Sequence, residues 1–497
     1  MSKRLTAYIN FNRGRNGTAS ADSLLASEMR EAQNVDLMVR GGYSQRKGCI
    51  KALVTPLGTT GISRLIKYPG MNLAIIDKKL VKWDGTVLLS TLSSNDVGVE
   101  YFTNQKLYIV DGTKYYVYDG TTIAEVTPAT SADLTNVKNC KLLIQRGQRM
   151  FAMGDNTNNI YFSATGEPNN FTASQAIRAL STDLYNPVAA ALYGDALIIF
   201  KRNSVYAWTG WDPTTDVEFH PLRVHDGTQS PRSVCAAEDY LLYLGDDAIV
   251  ALVSTEKDVI STMKVSTGVT DIIETLTNRD KAVGVYYRGC YYLACCDDGS
   301  GINNLVLKGY VTMAFQGDET ISLRSFPWTL YRGWSVADWF KDDNDDLYFA
   351  SASTGMIYKA FQGDNDDGIP IVMQAKHRLN LDDSFRIKKL KSILLLARQY
   401  EGESCYVEVD ISLGYYKVSK GVRIDESGFW DISDWDDNLF DFEDIVKKQI
   451  DLNGHKCDRL EITIRHDVID EPVTIYGYGA VFKPKKPKGV KTNVTNI

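Results

Sequence analysis

The sequence lacks the long apolar segments and the cysteine pairs that mark membrane proteins and disulfide-rich proteins. No run approaches the roughly 18 apolar residues of a transmembrane helix, and the best candidate, residues 189–200, is interrupted by Asp195. The first residues contain no apolar core of a signal peptide, so we expect no export signal. The eight cysteines include no C-x-x-C pair, which predicts reduced thiols in a chain made in a cytosol.

The sequence also lacks the short motifs of common enzyme and cofactor sites. It contains no P-loop, no dinucleotide-binding glycine motif after a strand, no H-E-x-x-H and no G-x-S-x-G. The repeated S-x-D-x-G-x-x-W box of sialidase propellers is absent too. These absences predict a protein that is not an enzyme and uses no cofactor, although distant residues could still assemble a hydrolase. No histidine has a metal-ligand spacing from a cysteine; the histidines are His220, His225, His377, His455 and His466.

Charge is distributed unevenly along the chain, whose formal net charge is −7. Residues 1–55 hold nine Lys or Arg against four Asp or Glu, and residues 481–497 hold five Lys and no acid. Residues 431–444 hold seven acids and no base. Because opposite fields set the register between partners, we hypothesise that the basic arm or tail of one subunit lies on the acidic segment of its neighbour. The candidate contacts are Arg13, Arg15, Arg46, Lys47, Lys483, Lys485, Lys486 and Lys488 with Asp434, Asp436, Asp437 and Asp441.

The tail lysines also raise the alternative of direct DNA binding. Phosphate binding requires clustered cations, but only five lysines are present and the chain between the basic arm and the basic tail is acidic. An acidic surface repels a duplex, so docking on a protein partner is favoured.

The central part of the sequence repeats a pair of apolar or aromatic runs around an Asp, Asn or Gly turn. This pattern is typical of a β-hairpin, and the hairpins recur at roughly the 35- to 55-residue spacing of repeat architectures. A hairpin cannot bury its apolar face alone, whereas radial stacking of four-stranded blades can. We therefore predict an all-β fold with a β-propeller of six to eight blades over residues 56–370; unrelated meanders in two sandwiches are the alternative. The hairpins are residues 73–85, 106–120, 149–163, 196–210, 240–254, 290–309 and 347–361.

The flanking segments predict different structures. Residues 1–55 are expected to form an arm with a first strand, including a short helix capped by Ser20 or Asp22 that runs to about Gln33. Residues 371–482 contain longer strands and predict a β-sandwich domain. Residues 483–497 are rich in Pro and Lys and predict a flexible basic tail. The sandwich strands are expected at residues 392–397, 404–413, 459–467 and 473–482.

Two acidic turns offer weak calcium candidates. Asp364, Asp366 and Asp367 precede Gly368 as in a calcium loop, and residues 342–346 are similarly acidic. Calcium requires six to eight oxygen ligands, including a late bidentate acid, and the residues after Gly368 supply none. A solvated turn is therefore the favoured interpretation.

A carbohydrate-binding or carbohydrate-cleaving propeller is the main functional alternative. Exposed aromatic side chains on a propeller face can stack on a glycan, and paired acids can cleave one. Packing inside the blades is the more common role of such tryptophans, and a solvated surface is the more common role of such acids. The tryptophan candidates are Trp208, Trp211, Trp328, Trp334 and Trp339.

Near the start of the chain, an N-V-D segment leads through a glycine turn to R-K-G. The residues of this segment are Asn34, Val35, Asp36, Gly41, Gly42, Arg46, Lys47 and Gly48. The segment resembles the first part of the tail-hub, or packaged-DNA stabilisation, proteins of short-tailed bacteriophages. The stretches 158–171 and 191–210, then 270–296, then 458–482 are similar in layout to later parts of that family.

The resemblance implies a structural subunit of a virion tail, made in the bacterial host cytoplasm and working without catalysis. It implies a nozzle-like homohexameric ring at the head-to-tail connection, between the portal–adaptor complex and a distal needle, fibre or spike. Such a ring retains packaged DNA, conducts it at ejection without sequence-specific binding, and spans no membrane. An acidic lumen suits this role, because DNA that leaves the particle must not adhere to the wall.

Overall fold

The computed structural model describes most of the chain. The described residues are 4–8, 10–20, 23–39, 41–172, 176–178, 185–216, 220–222, 227–256, 259–315, 325–379, 387–398, 400, 405–414, 416–424, 445–457 and 459–484. The chain divides into two compact units. The sandwich unit comprises Met1–Gly48, Pro327–Arg332 and Gln362–Ile497, and the propeller unit comprises Cys49–Phe326 and Gly333–Phe361.

Five short strands come first in the chain. Four of them belong to the sandwich unit, and the fifth belongs to the propeller unit. They are β1 (Arg4–Tyr8), β2 (Glu31–Gln33), β3 (Val35–Leu37), β4 (Tyr43–Gln45) and β5 (Cys49–Lys51).

Blades 1 to 4 of the propeller unit are four-stranded antiparallel sheets whose strands follow one another in the chain. Blade 1 contains β6 (Arg64–Tyr68), β7 (Met71–Ile76), β8 (Lys79–Lys82) and β9 (Val87–Leu89). Blade 2 contains β10 (Gly98–Tyr101), β11 (Leu107–Val110), β12 (Tyr115–Tyr118) and β13 (Ile123–Glu125). Blade 3 contains β14 (Leu142–Arg146), β15 (Arg149–Met153), β16 (Asn159–Phe162) and β17 (Ala176–Arg178). Blade 4 contains β18 (Ala189–Tyr193), β19 (Ala196–Phe200), β20 (Val205–Trp208) and β21 (His220–Leu222).

Blade 5 has the same pattern, blade 6 has three strands in the propeller unit, and blade 7 takes its fourth strand from earlier in the chain. Blade 5 contains β22 (Cys235–Ala237), β23 (Tyr240–Leu244), β24 (Ile249–Glu256) and β25 (Val259–Lys264). Blade 6 contributes the meander β26 (Val283–Tyr287), β27 (Cys290–Cys295) and β28 (Leu305–Tyr310); β29 (Trp328–Arg332) belongs to the sandwich unit. Blade 7 contains β30 (Val336–Lys341), β31 (Leu347–Ser351) and β32 (Ile357–Ala360), and β5 is its fourth strand.

The blades stack radially. The first strand of each blade contacts the first strand of a neighbour in the pairs β10–β14, β14–β18, β22–β26, β26–β30 and β30–β6. Most core clusters take side chains from two adjacent blades, as in the cluster that combines Leu73 and Leu80 of blade 1 with Ile109 of blade 2. Within the described residues, the propeller unit thus holds six four-stranded blades and one three-stranded meander, which confirms the predicted propeller of six to eight blades.

The propeller unit closes through a strand from early in its sequence. In blade 7, β5 pairs antiparallel with β32, so that Cys49 is opposite Ala360 and Lys51 is opposite Tyr358. A core cluster then joins Phe340 and Ile357 of blade 7 to Val81 of blade 1. This exchange of a strand joins the two ends of the unit, and the shared cluster packs the last blade against the first.

The predicted hairpins are the second and third strands of the six four-stranded blades and of the three-stranded meander. The turn between β7 and β8 has the backbone that a two-residue hairpin requires, since Asp77 and Lys78 both have positive φ, 51° and 58°. The middle strands are also the most buried: each residue of β19, β23 and β27 is buried. A strand covered on both faces has a continuous apolar run, which explains why these strands were visible in the sequence.

The strands that follow the propeller in the sequence belong to the sandwich unit. They are β33 (Asn365–Asp366), β34 (Ile369–Pro370), β35 (Met373–Leu379), β36 (Lys388–Arg398), β37 (Cys405–Ser412), β38 (Lys417–Ile424), β39 (Ile445–Asp451), β40 (Lys456–Cys457), β41 (Leu460–His466) and β42 (Thr474–Pro484). The four strands expected from the sequence between residues 392 and 482 correspond to β36, β37, β41 and β42.

Two sheets form the sandwich. One has the order β3–β4–β42–β36–β39, with β1 also on β42 and β40 on β36; the other contains β29–β2–β35–β41–β37–β38. An aromatic cluster packs between them: Tyr43 and Tyr478 from the first sheet surround His377 of the second, and Phe11 contacts all three. Residues near both ends of the chain therefore build one core.

The helix predicted up to Gln33 is wrong. Residues Glu31–Gln33 form β2, which pairs antiparallel with β35, with Ala32 opposite Ala375. The backbone hydrogen bonds of a sheet neighbour outweigh the weak helical preference of a segment this short. The described helices are single turns, α1 (Thr135–Lys138) and α2 (Thr270–Ile273), and 3₁₀ turns at Pro231–Ser233, Thr267–Val269, Arg279–Lys281 and Thr312–Phe315. None of the helices in the described ranges has the length and apolar character needed to cross a membrane.

Candidate functional site

Five of the twelve predicted interface residues lie in the parts of the chain that the structure describes. Arg13 and Lys483 are half-buried and Lys47 is exposed. Arg15 and Arg46 are buried inside the sandwich unit, which corrects their prediction as partner contacts because a buried guanidinium has no surface to offer. The acids Asp434, Asp436, Asp437 and Asp441 and the lysines Lys485, Lys486 and Lys488 lie outside the described residues.

Arg46 is the centre of a hydrogen-bond network in the sandwich unit. Its Nη1 and Nη2 donate to the two carboxylate oxygens of Asp366 at 2.8 and 2.5 Å. Its Nε donates to Asn34 Oδ1 at 2.9 Å, and the remaining N–H groups reach the carbonyl oxygens of Lys47 and Arg332 at 3.0 and 2.8 Å. A guanidinium has five N–H donors, and here each has an acceptor. The network joins residues 34–47 to Arg332 and Asp366, which lie about 300 positions away in the sequence.

These contacts explain the acidic turn at residues 364–367 without calcium. The Asp366 carboxylate is occupied by Arg46, and Lys47 Nζ donates to Asp364 at 2.7 Å. Asp367 has positive φ, 51°, at the turn before Gly368. A turn held by these contacts accounts for all three residues, but it is not fully solvated as we expected, since Asp366 is buried.

The acidic turn at residues 342–346 is organised in the same way. Three lysines neutralise three of its acids: Lys67 contacts Asp343 at 2.5 Å, Lys341 contacts Asp345 at 2.5 Å and Lys359 contacts Asp346 at 2.6 Å. The fourth acid, Asp342, accepts backbone N–H groups of the turn itself. Each carboxylate thus has a partner from the propeller unit.

A recurring Asp-x-Thr or Asp-x-Ser turn accounts for many other acids of the propeller unit. In each case the aspartate Oδ1 accepts the backbone N–H of the residue two positions later at 2.8–3.1 Å, which is an Asx turn. The aspartates are Asp84, Asp111, Asp119, Asp133, Asp155, Asp212 and Asp298. The Asp-x-Thr or Asp-x-Ser spacing is the sequence signal that identifies these turns.

The Asx turn of Asp119 keeps its carboxylate charged. Backbone hydrogen bonds from Thr122 and Thr121 hold the pKa of Asp119 well below its usual range, because donors to a carboxylate stabilise its ionised form. Part of the negative charge of the propeller unit therefore comes from residues that form its turns.

Charged side chains also lie along the first strands of the blades, near the propeller axis. Asp338 of β30 accepts the backbone N–H of Leu65 at 2.8 Å. Arg232 donates to the Ser63 carbonyl oxygen at 2.7 Å, and the Nη1 atom of Arg232 lies 3.8 Å from the Asp338 carboxylate. Arg64 donates to the Val97 carbonyl. These contacts tie blades 1, 5 and 7 together.

Glu100 of β10 is the axial group with the most altered acidity. Burial raises its pKa to about 7, although a backbone N–H from Gln145 and the charge of Arg64 partly oppose the rise. A carboxyl that titrates near neutrality is a frequent feature of functional sites, but the groups near Glu100 tie strands together, which favours a structural role.

Glu100 makes the stability of the propeller unit depend on pH. Its pKa in the folded chain lies above its ordinary value of 4.5, so the stabilising protonated form is lost as pH rises from about 4.5 to about 7. We expect Glu100→Gln to match the wild type at pH 4.5 and to be more stable by about 1–2 kcal/mol at pH 8, after allowance for partial exposure. Urea unfolding at both pH values measures this. The exposed Glu125→Gln serves as control; equal gains at both pH values would contradict the assignment.

The tryptophan candidates for glycan contact separate into two groups. Trp208, Trp328, Trp334 and Trp339 are buried, whereas Trp211 is 90% exposed. Trp211 lies in the turn after β20, next to Asp212, whose Asx turn fixes the backbone with Thr214. Beneath this turn, Arg146 stacks over Trp208 at 4.3 Å and donates to the Gly210 carbonyl at 2.7 Å. A rigid turn therefore presents one large aromatic side chain to solvent.

Comparisons with known proteins give no family for the chain. No protein-family model matches it, and no curated protein matches it. Among solved structures, it is similar to the extracellular domain of a one component system from B. thetaiotaomicron, with 8% identity, a TM-score of 0.44 and coverage of 90% of this chain and 64% of that one.

Two further solved structures are similar at the same low level. PorZ, a bacterial surface component of the type-IX secretion system of Porphyromonas gingivalis, has 12% identity, a TM-score of 0.37 and coverage of 70% and 45%. An exo-beta-1,3-galactanase from Phanerochaete chrysosporium has 10% identity, a TM-score of 0.24 and coverage of 78% and 95%. The matches to the first structure and to PorZ span less than two thirds of those proteins. At these values the likeness carries no information about function.

Proposed function

We propose that the chain is a structural subunit of a short-tailed phage virion, a hub or nozzle protein that forms a ring. Six copies would extend the portal–adaptor channel, retain packaged DNA, conduct it at ejection and anchor the distal tail. The proposal rests on the resemblance of residues 34–48 and of the later segments, and on the way the chain uses its charged residues.

One observation supports a structural role above others: in the described parts of the chain, the charges clustered around Arg46 and at residues 342–346 are bound by the chain itself. The Arg46 guanidinium has five acceptors, the acids at residues 342–346 have lysine or backbone partners, and the Asp-x-Thr acids form turns. A catalytic pair of acids must instead face a substrate groove with a defined separation. Charges that stabilise turns and strand junctions are typical of a scaffold.

The turn acids also suit a DNA conduit. They are charged at neutral pH and belong to turns, which lie at the ends of blade strands. A wall that presents fixed negative charge does not retain a polyanion. Where such turns line a channel, DNA would slide past them.

Assembly of the full chain tests the proposal. Mass photometry and negative-stain imaging, with the chain alone and with the portal–adaptor complex of its phage, should show rings of six copies with a central hole in at least the second condition. Replacing the five lysines of residues 481–497 by glutamine should weaken assembly at least tenfold if the basic tail docks on its neighbour. Dispersed monomers in both conditions, with release of reducing ends from a host polysaccharide, would overturn the proposal.

Glycan binding is a second candidate function, and Trp211 is the observation that favours it. Tryptophan is the side chain that contributes most to binding hot spots, and it is seldom left exposed without a partner. A sugar ring packs its apolar face on an indole, so the Trp211 turn would serve as one wall of a shallow glycan site on an adhesin.

Substitution of Trp211 distinguishes the two functions. If the turn binds a glycan, Trp211→Ala should weaken binding to host-surface polysaccharide at least tenfold, whereas Trp211→Phe should keep part of the affinity. Leu192→Ala, which removes another exposed apolar side chain of blade 4, should have no effect. Glycan-array or calorimetric binding provides the measurement, and equal affinity of wild type and Trp211→Ala would exclude this candidate.

A further inference from the structure

Three side chains with metal-binding atoms meet at one end of the sandwich unit. Cys405 is the first residue of β37, His466 is the last residue of β41, and Glu471 follows in the next turn. Strands β37 and β41 are paired, with Glu408 opposite Arg465. One ligand atom from each of Cys405, His466 and Glu471 can be chosen so that the three lie within 4.8 Å of one another.

The cluster is shielded from water. Cys405 is 7% exposed and His466 is 2% exposed, while Glu471 is half-buried. The same end of the unit is held by backbone contacts, since the Tyr406 N–H donates to the Glu471 carboxylate at 3.2 Å. The three residues are therefore positioned by paired strands and a fixed turn.

The imidazole of His466 is in an unusual electrostatic position. Its Nδ1 lies 2.7 Å from the Tyr406 carbonyl oxygen, and its Nε2 lies 2.8 Å from the Glu471 carbonyl oxygen. A neutral imidazole has one N–H donor and one nitrogen lone pair. Both nitrogens face acceptors here, so in the neutral ring one lone pair points at a carbonyl oxygen. A metal ion on that nitrogen would take up the lone pair, and the facing carbonyl oxygen would have to move aside, because the two atoms are too close together to hold an ion between them.

We propose that Cys405, His466 and Glu471 bind a divalent metal ion of the zinc class. Thiolate, imidazole and carboxylate together form a ligand set that Zn²⁺ accepts, whereas calcium and magnesium take oxygen ligands. On binding, the Cys405 S–H bond breaks, the proton leaves to solvent and the thiolate binds the metal in its place. The neutral imidazole contributes its lone pair and keeps its N–H on the other carbonyl.

The ion would join the start of β37, the end of β41 and the following turn. Three protein ligands leave a fourth position open in a tetrahedral site, which water or a side chain of a partner can fill. This role does not depend on whether the chain is a tail hub or an adhesin. A second proton on His466, with no metal, is the competing explanation of the same geometry.

Cobalt provides the probe, because thiolate-bound Co²⁺ has a charge-transfer absorption in the near ultraviolet. The full chain is treated with a chelator, dialysed and titrated with Co²⁺, then with Zn²⁺. We expect one equivalent of Co²⁺ to produce the absorption and Zn²⁺ to abolish it by displacement. Zn²⁺ should also raise the thermal midpoint of the chelator-treated protein.

Matched variants assign the site. Cys405→Ser should lose the absorption, whereas Cys457→Ser, at the other cysteine of the sandwich unit and equally buried, should keep it. Glu471→Gln should weaken Co²⁺ binding at least tenfold while its far-UV circular dichroism stays unchanged. Because Glu471 is less buried than the cysteines, this variant tests the site even if a cysteine variant misfolds. No absorption at millimolar Co²⁺, or the same absorption in Cys405→Ser and wild type, would overturn the proposal and favour the protonated imidazole.

Discussion

Asp366→Asn is expected to lower the free energy of unfolding of the sandwich unit by about 3–5 kcal/mol. The substitution leaves the buried Arg46 guanidinium with a neutral partner, and the carboxylate had accepted two of its five N–H groups. An uncompensated buried charge is costly because the interior screens it poorly. Chemical denaturation followed by the fluorescence of the sandwich unit, for instance through Trp328, measures the change.

Two further variants separate charge from packing. Asp364→Asn removes the neighbouring pair with Lys47, which is largely exposed, and should cost no more than about 1 kcal/mol. The double change Arg46→Met with Asp366→Leu removes both charges and should recover most of the loss, as apolar replacements of buried pairs often do. Equal costs for Asp364→Asn and Asp366→Asn would show that the Arg46 network does not hold the unit together.

The hairpins of the propeller could be predicted because their determinants are local. Each pair of middle strands is an apolar run of four to eight residues on either side of a turn with its own chemistry, such as Asp77 and Lys78. Such strands are buried on both faces, so their composition differs from that of loops. Repetition of the pattern then indicated the radial architecture.

The contacts that close each unit could not be predicted, because they are not local. The pairing of β5 with β32 joins residues about 300 positions apart, and Arg46 meets Asp366 at a separation of 320 residues. A three-residue strand such as β2 carries too short a pattern to compete with a helical interpretation, and only its partner β35 decides its conformation.

The roles of the acids could not be predicted from their number. Their number suggested a calcium turn or a catalytic pair, and both ideas treated the carboxylates as free. The spacing of Asp111 from Thr113, or of Asp119 from Thr121, instead indicates Asx turns. Likewise, no sequence pattern separated Trp211 from the buried tryptophans, because exposure depends on which side of a turn faces the core.

His377 gives the sandwich unit a second weak point, one that depends on pH. The ring lies among Phe11, Tyr43 and Tyr478, with centroid distances of 4.3, 5.6 and 5.1 Å. Neither ring nitrogen has a hydrogen-bond partner among the described residues. Burial lowers the pKa of His377 to about 3, since the charged imidazolium would lose its hydration without gaining a partner.

The shifted pKa of His377 predicts that the unit loses stability in acid. The unfolded chain binds a proton near the ordinary value of 6.5 and the folded chain only near 3, so stability is present above about pH 6.5 and falls as pH decreases toward 3. At pH 4.5 this one group should cost about 2–3 kcal/mol. His377→Phe, which keeps an aromatic ring in the cluster, should change stability little at pH 7.5 and raise it by about that amount at pH 4.5. Denaturation midpoints at the two pH values measure this. If wild type and His377→Phe lose the same stability in acid, other groups cause the loss. If only the wild type loses stability, the buried imidazole of His377 causes the acid sensitivity.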